Sequence, residues 1–300
     1  MSDARVSSLQ AAVPALQVLT DPADLAHYGV DWTRRWTPAP PSPCASFEWS
    51  VVDRGGAPSM PNVLGIPYPQ TAPVDVRDGL RAHLHTNFPD IDPQLLERDI
   101  EAWQDLRRKC VSRAAPAGPS PLLRDYAAQL DCAVRMLKNK AGTAFPWTPG
   151  FSNAPPMQCY ESIDAERAYV LLWIAAEHAQ SASCESRSTS ESLKRAANEF
   201  QLAAGCLAHM TTLPLPAPLQ DQVPCLRHLM LAQAQECFWQ KAVQDGLRDT
   251  TIAKLAQGVS TLYADSVALA PPSALPTDWL QHMECKRWHF AAAAMYRKSC

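Results

Sequence analysis

The sequence predicts a mostly α fold in which antiparallel helices stack into a curved solenoid, and three observations predict it. The 27 prolines are clustered, in residues 38–73, 116–121, 146–156, 214–224 and 271–276, and the stretches between them are almost free of helix breakers. Those stretches place apolar residues at spacings of three and four. Alternating apolar and polar residues form no convincing run, so the β content reduces to a short strand near residues 62–68, or a short N-terminal β-hairpin.

The helices follow in order. Asp75-Val-Arg-Asp78 resembles a capping box and opens a helix to about His85. Asp92-Pro93 supplies an N-cap and a proline at the first helical position, starting a helix through Leu106. A third runs from Pro121 to about Lys138. A fourth spans Glu161 to Gln180, with Ala165, Tyr169, Leu172 and Ala176 on one face. Ser188-x-x-Glu191 caps a fifth, striped with Ala196, Phe200, Ala203, Leu207 and Met210. Residues 222–244, 247–268 and 277–298 complete the set. Helices of about twenty residues joined by short loops suggest tetratricopeptide-like pairs, although the strict repeat signature is missing.

Composition narrows the function. With 300 residues, 47% hydrophobic and 19% charged, the chain is globular, and its formal net charge of −3 excludes a protein built mainly to bind nucleic acid. No apolar run approaches a membrane span, and no basic n-region precedes an apolar stretch. The ten cysteines lie singly with no C-x-x-C pair, which points to free thiols in a reducing cytosolic compartment.

Catalytic signatures are absent: no G-x-S-x-G, P-loop, H-E-x-x-H or G-x-G-x-x-G occurs. His83 and His85 would fall on different faces of a helix. His282, Cys285 and His289 share a spacing that a zinc site needs, but an amphipathic helix end explains them as well. Glu236 and Glu284 sit among apolar neighbours and read either as acids or as solvated or capped carboxylates. Neither a cofactor nor a metal site is expected, and nothing makes a positive case for an enzyme.

One block is distinctive: Leu229-Met-Leu-Ala-Gln-Ala-Gln-Glu-Cys-Phe-Trp-Gln-Lys-Ala-Val-Gln-Asp-Gly-Leu-Arg-Asp-Thr-Thr-Ile-Ala-Lys-Leu-Ala256. It resembles the Bro domain of endosomal-sorting adaptors of the Alix and PalA type, with a lean toward the fungal PalA branch of ambient-pH regulators. Asn62-Val-Leu-Gly-Ile-Pro-Tyr-Pro69 resembles the start of that domain, and Phe145-Pro-Trp-Thr-Pro149 resembles its aromatic turn. Residues 200–210 and 279–297 resemble later helices in the right order. The resemblance implies a non-catalytic scaffold, cytoplasmic and recruited to endosomes, that binds the C-terminal amphipathic helix of the filament-forming ESCRT-III subunit. Peripheral membrane association fits that role. Contacts with a calpain-like protease and a transcription factor would use regions that this chain lacks. Carried over by position, Phe238 and Leu255 are apolar anchors, while Lys241 and Lys254 are rim charges. Thr251 stands where Alix-like members have isoleucine, and Ile252 points elsewhere on a helix. Taken without the resemblance, Phe238 and Leu255 read as core and the lysines as solvated.

The expected layout is a Bro domain over residues 60–300, lacking its last helices, after a proline-rich extension over residues 1–59. Within that extension, Leu19 to Pro40 resembles the opening of FAD-linked lactate or glycolate oxidases, without the glycine-rich flavin-binding sequence that should follow. A generic helical-repeat scaffold, or a remnant of such an oxidoreductase fused at the N-terminus, are the rival readings.

Overall fold

The computed structural model describes residues 62–90, 93–112, 119–271 and 273–299. The expectations for residues 1–59, including the oxidase-like stretch, and for the Asp92 cap lie outside the described residues. Eight helices carry the described fold: α1 (Arg77–Asn87), α2 (Pro93–Val111), α3 (Pro121–Met136), α4 (Ile163–Cys184), α5 (Ser190–Met210), α6 (Ala217–Gln244), α7 (Asp249–Leu269) and α8 (Thr277–Ser299). From α4 onward each helix packs on its predecessor and its successor, as in a stacked α-repeat. Their facing stripes are the apolar periodicities of the sequence: Tyr169, Leu172 and Ala176 on α4, Phe200, Ala203 and Leu207 on α5, Leu226, Leu229 and Met230 on α6 are all buried.

Several boundaries differ from the sequence reading, each for a local reason. The box before α5 is one residue later, with Thr189 Oγ1 accepting from Ser192 N at 3.1 Å and Ser192 Oγ from Thr189 N at 3.2 Å, so Ser188 and Glu191 are not its partners. Helix α6 begins at Ala217, inside the supposed loop, and carries Pro224 within it. Helix α2 runs on to Val111, a full turn past Leu106. At α1 the N-cap is Val76 with no side-chain cap, and Asp75 accepts from Arg77 N instead.

The larger correction concerns the sheet. Three antiparallel strands, β1 (Gln70–Thr71), β2 (Lys140–Thr148) and β3 (Gln158–Ser162), pair in the order β1-β2-β3. The hairpin therefore lies mid-chain, over residues expected as loop and as the start of the fourth helix. Residues 62–69 are not a strand. Their backbone partners are side-chain amides: Gln233 on α6 accepts from Leu64 N at 2.6 Å and donates to Leu64 O at 2.9 Å, and Gln180 on α4 donates to Ile66 O at 3.0 Å. These amides satisfy polar groups on a segment whose Leu64 and Ile66 side chains are core.

Gly142 of β2 and Gly79 of α1 pin sheet to helix. Gly142 has φ +68°, and a Cβ there would stand 2.1 Å from the Gly79 carbonyl oxygen. Both the backbone conformation and the contact exclude a side chain. Gly142→Ala is expected to destabilise the fold by about 2–3 kcal/mol in urea unfolding. A variant as stable as the parent would show that this junction yields without cost.

Candidate partner-binding face

The α6–α7 hairpin is built around a buried charge knot. Glu236, buried on α6, accepts from Tyr263 Oη of α7 at 2.6 Å and pairs with Lys286 Nζ of α8 at 3.1 Å and Arg187 Nη1 of the α4–α5 connection at 3.4 Å. Lys286 also donates to Asn62 Oδ1 at 2.7 Å. Burial pushes the Glu236 carboxyl up, but Lys286 and Arg187 outweigh it and hold the carboxyl below its ordinary range. Glu236 is thus neither a solvated carboxylate nor a poised acid. It could not be read from sequence because its cationic partners lie about fifty residues away on either side. Glu284, by contrast, makes a partly exposed pair with Arg287.

The knot sets the rotation of α6. Residues two apart on a helix point about 200° apart, so a buried Glu236 turns Phe238 outward. Phe238 is 38% exposed, a high value for a phenylalanine inside a repeat stack. Gly246, at φ +66°, then ends the helix, with Leu247 N donating to Ala242 O at 3.0 Å, and the chain returns as α7. The register of the hairpin is marked by Gly258, which lies beside Gln235: a Cβ there would stand 3.5 Å from the Gln235 side chain. Counting from that pair, Phe238 of α6 and Leu255 of α7 each lie three residues nearer the connection, which puts them at corresponding levels of the two helices.

The structure places the carried-over residues as follows. Leu255 is half-buried beside that level, Thr251 and Lys254 are exposed on α7, and Ile252 is core at 2% exposure. Lys241 is partly exposed and pairs with Asp245 one turn on. Phe238 and Leu255 both reach the surface on successive helices, and with the hairpin register they define a candidate apolar strip, with Lys241 and Lys254 on the same two helices. Sequence reasoning missed the residues that continue this strip. Leu231 and Leu262, both half-buried and packed against the core, lie at the corresponding level two turns away by the same register. The signal was present as spacings of seven, 231 to 238 and 255 to 262, but it needs the hairpin register to be seen as one surface.

Other sequence candidates resolve differently. His282 and His289 are half-buried, whereas Cys285 is exposed, and no group of three His, Cys, Asp or Glu side chains among the described residues could hold a metal ion. Eight described cysteines are free thiols. Burial pushes Cys225 up to about 12 and Cys237 up to about 11, which leaves both protonated and unreactive.

The BRO1-like domain family matches residues 63–300. The pH-response regulator protein palA/RIM20 of Emericella nidulans is 39% identical over 251 residues, 79% of this chain and 29% of that protein. Its counterpart in Aspergillus oryzae is 38% identical over 251 residues, 79% of this chain and 30% of that protein. The chain thus spans less than a third of the length of these curated relatives. Among solved structures, the ALIX BRO1 CHMP4C complex superposes with a TM-score of 0.69 at 25% identity, covering 79% of this chain and 72% of that one.

Proposed function

The chain belongs to the BRO1-like domain family, and from that premise we propose that it is a non-catalytic adaptor whose face at Phe238, Lys241, Thr251, Lys254 and Leu255 binds the C-terminal amphipathic helix of the filament-forming ESCRT-III subunit. The observation that carries the reading is Phe238, a large apolar side chain turned outward at the level of Leu255 and flanked by lysines. An amphipathic helix lays its apolar anchors into such a strip and its acidic rim against the cations. The solved relative bound to CHMP4C supports this choice of partner.

Recruitment to endosomes follows from that partner, as peripheral association; no described helix is long and apolar enough to cross a membrane. The palA/RIM20 relatives favour service in ambient-pH signalling over cargo sorting. Contacts with a calpain-like protease and a transcription factor belong to the same proposal and are assigned to other parts of a full-length adaptor.

The test is a fluorescence-anisotropy titration of the 300-residue chain against a labelled peptide of the CHMP4C C-terminal helix. A micromolar-range Kd is expected, weakened at least tenfold by Leu255→Asp or by Phe238→Asp, with circular dichroism unchanged. Lys254→Glu, an exposed charge reversal, should weaken binding several-fold, and more at low salt. Binding that survives both aspartate variants would move the partner to another face and leave a helical-repeat scaffold with a different ligand site.

A further inference from the structure

The hairpin register extends the apolar strip beyond the residues already assigned. Along α6, Leu231, Gln235 and Phe238 recur at spacings of four and three, and along α7, Leu255, Gly258 and Leu262 recur at three and four. With Gly258 opposite Gln235, the pairs Phe238–Leu255 and Leu231–Leu262 fall at two levels seven residues apart. That separation is two helical turns, roughly 10 Å. None of these six residues is fully buried.

Gly258 lies midway between the two apolar levels, and nothing inside the fold requires it. A Cβ there would meet only Gln235, at an ordinary contact distance of 3.5 Å, and the backbone is regular helix. Glycine in a helix interior is unfavourable, so a position without internal justification admits an external one: room for another backbone to approach. Gly258 thus adds no side chain between the two apolar levels, and one polar side chain, Gln235, lies beside it.

We propose that Leu231 and Leu262 form a second anchor site continuous with Phe238 and Leu255, and that one amphipathic helix spans both, crossing closely over Gly258. The proposal rests on the adaptor reading and specifies the partner further. Its helix carries two apolar anchors about seven residues apart, a small residue between them, and acidic residues at the end nearest Lys241 and Lys254. Charge complementarity fixes that polarity, because Lys241 and Lys254 border only the Phe238 end of the strip. A helix of one or two turns would fill half of it.

The experiment compares Gly258→Leu, Gly258→Ala and Leu262→Gln in the 300-residue chain, using the CHMP4C helix peptide and two versions of it shortened by two turns at either end. Gly258→Leu is expected to weaken binding at least tenfold while its melting temperature holds or rises, since leucine is the better helix former. Gly258→Ala should cost less than Gly258→Leu, Leu262→Gln about fivefold, and one shortened peptide should lose as much as the leucine variant. If Leu255→Asp abolishes binding while Gly258→Leu and Leu262→Gln bind as the parent does, the second anchor is wrong and the adaptor reading stands. If the folded parent binds no peptide, both fall.

Discussion

A Glu166→Ala chain is expected to lose about 3–5 kcal/mol of unfolding free energy at pH 7, because the change leaves a buried cation without its partner. Glu166 on α4 is wholly buried and faces Arg107 of α2, also buried, at 2.9 Å from Nε to Oε1. Tyr126 Oη of α3 donates to the same oxygen at 2.7 Å, and the Trp147 indole of β2 donates to the other. Arg107 directs its remaining donors to Ala72 O and to Thr71 Oγ1, beside β2, and stacks over Phe145 at 5.5 Å. One carboxylate thus gathers three helices and the sheet. Removing it strands a guanidinium in a site closed to water and orphans two ring donors as well. The test is denaturant unfolding at pH 7 beside the double variant Arg107→Met/Glu166→Leu, in which no charge remains. The double variant should be milder than the single one; equal losses would mean that packing volume, not the unpaired charge, sets the cost.

That network also shows where sequence reading stops. Helices α4 to α8 were legible because each buries a stripe that repeats every three to four residues, a pattern local to the element. Strand β2 was not legible, for three reasons that are written into it. Its register is irregular between Lys140 and Phe145, Pro146 sits within the strand, and Phe145, Pro146 and Trp147 are buried consecutively, so no alternation survives. Residues 62–68 read as a strand because they are extended and apolar, but extension alone does not choose a partner, and theirs are the Gln233 and Gln180 amides. Arg107 and Glu166 are 59 positions apart, and only the fold brings them together. At the proposed binding face the same limit applies: periodicity alone makes Phe238 a core residue, and its outward turn follows from Glu236 being held by Lys286 and Arg187.

Acidification from pH 7 to pH 5 is expected to cost the chain about 4 kcal/mol of stability, through two histidines on α8. Burial pushes His282 down to about 4, with Lys286 adding to the depression, and the same causes in the same order bring His289 to about 4. In the unfolded chain both rings titrate near 6.5. Above that value neither state is protonated and the rings do not affect the balance. Between 6.5 and 4 the unfolded chain binds protons that the folded chain refuses, so stability falls as pH falls, by roughly 2 kcal/mol per histidine at pH 5. Glu236, the carboxylate facing Lys286, acts in a separate window. Its folded value lies below 4.5, so its contribution is present above the unfolded value and is lost only at more acid pH. Urea unfolding of the parent and of His282→Gln/His289→Gln at pH 7 and pH 5 separates the two groups. The variant should lose about 1 kcal/mol or less over that interval. A loss as large as the parent's would assign the acid sensitivity to carboxylates instead. The ring of His289 lies edge-on to Phe290, which in turn meets Trp239 edge to face, next to Phe238. Loosening at α8 therefore reaches the helix that carries the proposed binding face, and peptide affinity should fall together with stability across the same pH interval.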